Sequence, residues 1–184
     1  MQATRGTSLS STDHAEPSSS PASRYRLLFA LVAVAAYAVD LGTKLLAVAH
    51  LTPHERVDVV GGLLRLDLVR NPGAAFSTGT SYTLILSVIA LIAAGVVIRF
   101  GRRLGDRTWA VALGLLLGGV CGNLTDRIFR EPAFLRGHVV DFLELPHWPV
   151  FNVADMLIDA AVVLIIVQTW RGIGISGRRR DPAS

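Results

Sequence analysis

Four long apolar stretches, joined by short polar connections, limit what this chain can fold into. They run from Leu27 to about Leu51, from Tyr82 to Phe100, from Trp109 to Leu124, and from about Val150 to Trp170. A hydrocarbon core about 30 Å thick is crossed by roughly 20 helical residues. Three stretches reach that length, and the glycine-rich third falls slightly short. The composition agrees. Of 184 residues, 51% are hydrophobic and 17% charged, against roughly 25% charged in soluble domains. A globule this small has too little polar surface to cover so much apolar side chain. In lipid, an isolated strand would leave its backbone unpaired, and a closed barrel would show alternating polarity. The expected class is therefore an all-α membrane protein with four transmembrane helices. A single cysteine, Cys121, excludes an internal disulfide scaffold, and no repeat of fixed period is visible.

The arginines set the orientation. Arg5, Arg24 and Arg26 precede the first stretch. Arg99, Arg102, Arg103 and Arg107 separate the second from the third, and Arg171, Arg178, Arg179 and Arg180 follow the fourth. These eleven share one side, and the two other connections carry six: Arg56, Arg65, Arg70, Arg127, Arg130 and Arg136. The bias predicts cytoplasmic termini and a cytoplasmic middle loop. The formal charge of +4 thus reads as topology rather than as a nucleic-acid surface, and no nucleic-acid partner is expected. Residues 1–23, rich in Ser, Thr and Pro, read as a disordered cytoplasmic tail. Residues 24–171 form the membrane domain, and 172–184 a basic cytoplasmic tail. Ala36-Tyr37-Ala38 resembles a signal-peptide cleavage site, but the apolar run resumes after Asp40 and is long enough to span.

Ionisable groups inside the spans cost about 2.5–3.5 kcal/mol each on insertion scales, so they mark function by default. Asp40 and Lys44 are four apart on one helix face and can pair; an internal ion pair is the preferred reading of them. The run Leu63–Leu68 has strand-like alternation and leads into Arg70-Asn71-Pro72-Gly73, which is turn chemistry. As an edge strand, it would hold a peptide in extended form by backbone hydrogen bonds. Gly118, Gly119 and Gly122 permit close helix packing. Beyond them, Asn123, Asp126 and Arg127 form a polar helix end. Cys121 lies among apolar neighbours, which disfavours a thiolate.

Asp141 and Asp155 carry the most chemistry. One stands just before the fourth stretch and the other in its first turns, while Pro146 and Pro149 let the chain fold back between them. Two carboxyls in a poorly hydrated site share a proton, which supplies a base to activate water and an acid for the scissile group. Their spacing alone does not single them out, and Asp159, one turn past Asp155, is spaced to serve as an alternative partner.

Together these segments resemble lipoprotein signal peptidase (signal peptidase II), a bacterial aspartic peptidase family. Five ordered blocks carry the likeness: Asp40-Leu41-Gly42-Thr43-Lys44; Arg70 to Ser77; Gly118-Gly119 with Gly122 to Arg127; Gly137 to Phe142; and Phe151-Asn152-Val153-Ala154-Asp155. The resemblance implies four transmembrane helices with a small extracytoplasmic β-sheet, drawn from region 52–80. It implies a multi-pass protein of the bacterial cytoplasmic (inner) membrane, with its site at the outer face. The implied substrate is a prolipoprotein whose cysteine carries a diacylglyceryl group, cut on the amino side of that cysteine while its acyl chains stay in membrane lipid. Asp141 and Asp155 match the catalytic pair. Asp40, Lys44, Asn71, Gly122, Asn123, Asp126, Arg127, Asn152 and Ala154 match positions assigned to substrate binding and site support.

A two-aspartate mechanism needs no metal or cofactor, and none is expected: the sequence has no HExxH, no paired Cys/His cluster and no Gly-x-Ser-x-Gly. The competing reading is a small proton-coupled transporter using its intramembrane carboxylates. It is disfavoured because the ionisable groups gather toward one side and paired repeats are absent.

Overall fold

A computed structural model describes residues 21–73 and 81–179. Most of the N-terminal tail, Ala74 to Ser77 of the second block, and Arg180 with the rest of the C-terminus lie outside the described residues. The elements, in chain order, are α1 (Pro21–His50), β1 (Val57–Val60), β2 (Leu64–Asn71), α2 (Ser81–Gly101), α3 (Arg107–Phe129), β3 (Val139–Glu144) and α4 (Val153–Trp170). Among the described residues, four helices are long and apolar enough to cross a membrane. At 30 residues, α1 extends about 45 Å at 1.5 Å per residue. It therefore outreaches the hydrocarbon core, and it begins within the segment that the sequence assigns to the tail.

Helix α3 is the axis of the bundle. It packs against α1, α4 and α2 and is the most buried of the four. Its glycines make this possible. Gly114, Gly118 and Gly122 repeat every four residues, so they fall on one face. A Cβ at Gly118 would lie 2.5 Å from the Ala36 Cβ and 2.8 Å from the Ala33 carbonyl oxygen of α1. Gly119 faces the other way, where a Cβ would meet the Ala154 oxygen of α4 at 2.7 Å. Small residues let helices approach where lipid supplies no hydrophobic drive to associate. The remaining faces of α1, α2 and α4 display large apolar side chains such as Leu31, Ile92 and Val163, as a lipid-facing surface must.

One end of the bundle carries a three-stranded antiparallel sheet ordered β1-β2-β3. Between its pairings Leu66↔Leu143 and Val69↔Asp141, β2 advances by one residue more than β3, a bulge that bends the strand. Leu68, Val140 and Phe142 bury themselves against Ala47 and seat the sheet on the C-terminal end of α1. The expectation of an edge strand at Leu63–Leu68 is corrected here. β2 is the central strand, and both of its sides are already paired, to β1 and β3. It has no free ladder to offer a peptide.

The opposite end is closed by the chain after α4. Residues 172–179 turn back on themselves through an isolated bridge between Ile173 and Arg179. The Trp109 Nε1 donates to the Ile173 carbonyl at 2.9 Å, and the Gly105 amide donates to that of Ile175 at 2.9 Å. Ile173 and Ile175 thereby cover a core of Val97, Leu104, Trp109 and Leu113.

Candidate active site

At the sheet end, side chains from α1, β2, α3, β3 and α4 form one continuous polar network. It begins on α1. Asp40 and Lys44, both fully buried, pair at 2.8 Å, as their spacing predicts. Lys44 also reaches Asp126 on α3 at 3.2 Å and donates to the Asn123 Oδ1 at 2.8 Å. Two acids thus surround one lysine, and Arg130 supplies a second cation by pairing with Asp126. Asp126 in turn accepts the Val140 amide at 3.1 Å, which docks β3 onto α3. The other Asp40 oxygen accepts the Ala154 amide at 2.8 Å, tying α1 to the start of α4. Gly122 lies directly beneath, and a Cβ there would fall on the Asp40 carboxylate. Gly122 and Ala154 therefore serve by being small, or by their backbone.

Asn152 is the junction of the network. It caps α4, and its side-chain oxygen accepts the Asp155 amide at 3.1 Å while the Asp155 carboxylate accepts the Asn152 amide at 3.2 Å. This reciprocal capping box fixes Asp155 one turn into the helix. The Asn152 Nδ2 points the other way and donates to Asp141 at 2.6 Å and to Asn123 at 3.1 Å. Asn123 donates to Asp155 at 2.9 Å. Asp141 and Asp155 are therefore joined through a single shared asparagine.

Asp141 sits on β3 with both oxygens engaged. Asn71, at the end of β2, donates to the second oxygen at 2.7 Å. Asn71 is itself oriented because its Oδ1 accepts the Gly73 amide at 2.7 Å. Gly73 has φ +92, a conformation glycine adopts without strain. The Arg127 guanidinium reaches the Pro72 carbonyl at 3.5 Å. Burial pushes the Asp141 carboxyl up to about 6, against the two amide hydrogen bonds that favour its charged form and with a further upward push from Asp155. Desolvation outweighs the hydrogen bonds.

All eleven residues that the resemblance assigns to the site lie in this cluster or directly against it. Asp159 does not join it: it is exposed on α4. Sequence reasoning missed Arg130, although its i, i+4 spacing from Asp126 was a usable signal. It also missed Thr83 and Ser87 of α2. These buried hydroxyls donate to the carbonyls of Pro72 at 2.8 Å and Leu135 at 2.7 Å and so hold the loops around the site.

Four helices long and apolar enough to cross a membrane, with a carboxyl and amide cluster at one end of the bundle, are the frame of a multi-pass membrane protein. The chain belongs to the signal peptidase II family: the family model described as Signal peptidase (SPase) II matches residues 32–171. It is 48% identical over 154 residues to the lipoprotein signal peptidase of Streptomyces coelicolor, covering 84% of this chain and 75% of that one. It is 47% identical over 174 residues to that of Mycobacterium avium, covering 92% and 93%. Two solved bacterial membrane enzymes, determined by the in meso method, superpose with TM-scores of 0.68 at 28% and 25% identity, covering 76% and 82% of this chain and 90% and 92% of theirs. The chain is accordingly a multi-pass membrane peptidase that acts on lipoprotein precursors.

Proposed function

We propose that this chain removes signal peptides from diacylglyceryl-modified prolipoproteins by hydrolysing the amide bond on the amino side of the lipidated cysteine, with Asp141 and Asp155 as the catalytic pair. The observation that carries this reading is the shared Asn152, which bonds the Asp141 side chain and is capped by Asp155. One carboxylate takes a proton from water, and the water oxygen attacks the scissile carbonyl carbon. The protonated partner donates to the carbonyl oxygen and then, as the C–N bond breaks, a proton passes to the leaving cysteine nitrogen. Asn71 and Asn152 orient Asp141, Asn123 orients Asp155, and the Lys44, Asp40 and Asp126 group braces the helices behind them. Arg127 stands near the carboxylates and the Pro72 turn, where it positions substrate.

The arginine bias supports cytoplasmic termini, which puts the sheet and the site at the outer face of the membrane. There the acyl chains of the substrate stay in lipid while its peptide bond meets water. The test is mass spectrometry of one lipidated precursor incubated with the purified protein and with Asp141→Asn and Asp155→Asn. Cleavage by the first alone is expected, with both variants remaining in the membrane fraction. Full activity of either variant would refute the assignment.

A further inference from the structure

Helix α4 carries a second carboxyl that the network leaves out. Asp159 lies one turn beyond Asp155, is exposed, and makes no hydrogen bond or ion pair among the described residues. It stands about 9 Å along α4 from Val153, at 1.5 Å per residue, within the stretch apolar and long enough to span. Asp40, Lys44 and Asp126 compensate one another inside the bundle; Asp159 does not. An ionisable group on a membrane-facing helix is costly to leave without a partner, and no described residue supplies one to Asp159.

The face it occupies narrows what that partner is. Ala154, Ala161 and Gln168, seven apart, are the buried stripe of α4. Asp155, Asp159, Val162 and Ile166 follow an i, i+4, i+7, i+11 pattern and so share a different stripe, on which Val162 and Ile166 are exposed. This second stripe starts at Asp155 and continues into the membrane as an apolar wall bearing one acceptor.

We propose that this stripe receives the signal-peptide segment just ahead of the scissile bond and that Asp159 accepts a backbone N–H from it. The inference rests on the peptidase reading above. A bond to be cut must leave any helix it belongs to, and the N–H groups freed by unwinding have no water to pair with in lipid. A carboxylate acceptor makes the stronger, charge-assisted kind of hydrogen bond. Four helical residues place Asp159 about 6 Å deeper than Asp155, and an extended chain advances about 3.3 Å per residue. Asp159 therefore stands level with the substrate residue about two positions ahead of the cut. It binds substrate and sets its register; it takes no part in the proton transfers.

The test uses the full-length protein, a lipidated precursor peptide, and analogues N-methylated at one backbone amide each along the segment ahead of the cut. Asp159→Leu is expected to raise KM about tenfold, as loss of a hydrogen bond to a charged group does, with kcat within about twofold. Asp159→Asn, which keeps a carbonyl acceptor, is expected to restore most of that loss. N-methylation about two positions ahead of the cut should raise the wild-type KM by a similar factor and add nothing in Asp159→Leu. An unchanged KM in Asp159→Leu, or methylation penalties that simply add to it, would overturn the proposal. Should that variant fail to fold, the wild-type methylation scan decides: no maximum near that position overturns it equally. Failure of the wild-type protein to cut the unmodified precursor would instead overturn the peptidase reading, and this inference with it.

Discussion

Asp141 illustrates how competing local forces set one side chain's chemistry. Both of its oxygens accept amide hydrogen bonds, which on their own would hold the carboxyl ionised. Burial wins, and its pKa rises from 3.8 to about 6. Below that value the pair keeps the proton that the proposed mechanism needs for its acid step, and above it that proton is lost. We expect kcat/KM for a lipidated precursor to fall as pH rises through about 6, with the apparent value belonging to the pair rather than to either residue. A pH–rate profile checks this, and a flat profile from pH 5 to 8 would exclude it. The same shift makes Asp141 contribute to stability at acid pH, a contribution lost as pH rises through the folded value near 6.

Among the elements, α4 joins helix initiation to site geometry, because Asn152 serves both. Its two roles are separable. Asn152→Ser keeps an N-capping oxygen but has no amide to reach Asp141. It leaves the Asp141 and Asn123 oxygens short of a buried donor, so stability should fall by about 1–3 kcal/mol while activity falls sharply. Asn152→Ala should in addition lose about 1 kcal/mol of helix stability, a common consequence of deleting a cap. Thermal unfolding in detergent, measured beside kcat, distinguishes the two substitutions.

Legibility from sequence varies from element to element. The helices were readable because lipid demands long apolar runs. β2 announced itself by alternation, but its central position did not, since pairing partners are not written in a strand's own residues. β3 was hidden: Val139 to Phe142 are all buried, so no alternation marks it. The ion pair of Asp40 with Lys44 was visible at i, i+4, whereas Lys44's contact with Asp126 depends on how α1 packs on α3. The five blocks supply the residues of the polar cluster, and only folding shows that Asn152 is its hub.

At the scale of the molecule, the polar network and the C-terminal turn occupy opposite ends of the bundle. Sequence reading takes residues 172–184 simply as a basic tail, because Arg178 and Arg179 dominate the pattern and the packing role of Ile173 and Ile175 depends on a tight return of the chain. Removing residues from Gly172 onward should strip the Trp109 Nε1 of its acceptor and uncover Leu104. An unpaired buried donor costs about 1–3 kcal/mol, and each kcal/mol moves Tm by about 2–4 °C in a chain of this size. We expect a lower Tm with kcat/KM within about twofold of the full chain. A large loss of activity at unchanged Tm would show instead that the two ends communicate.

The hub also bears on when the proposed site comes into being. Asp141 comes from a strand, Asp155 and Asn152 from the last helix, Asn123 from the third and Lys44 from the first. A molecule still being threaded into the bilayer thus owns these side chains but not the arrangement that joins them. Only the arrival of the final segment brings them together, so the proposed catalytic pair is complete no earlier than the fold itself.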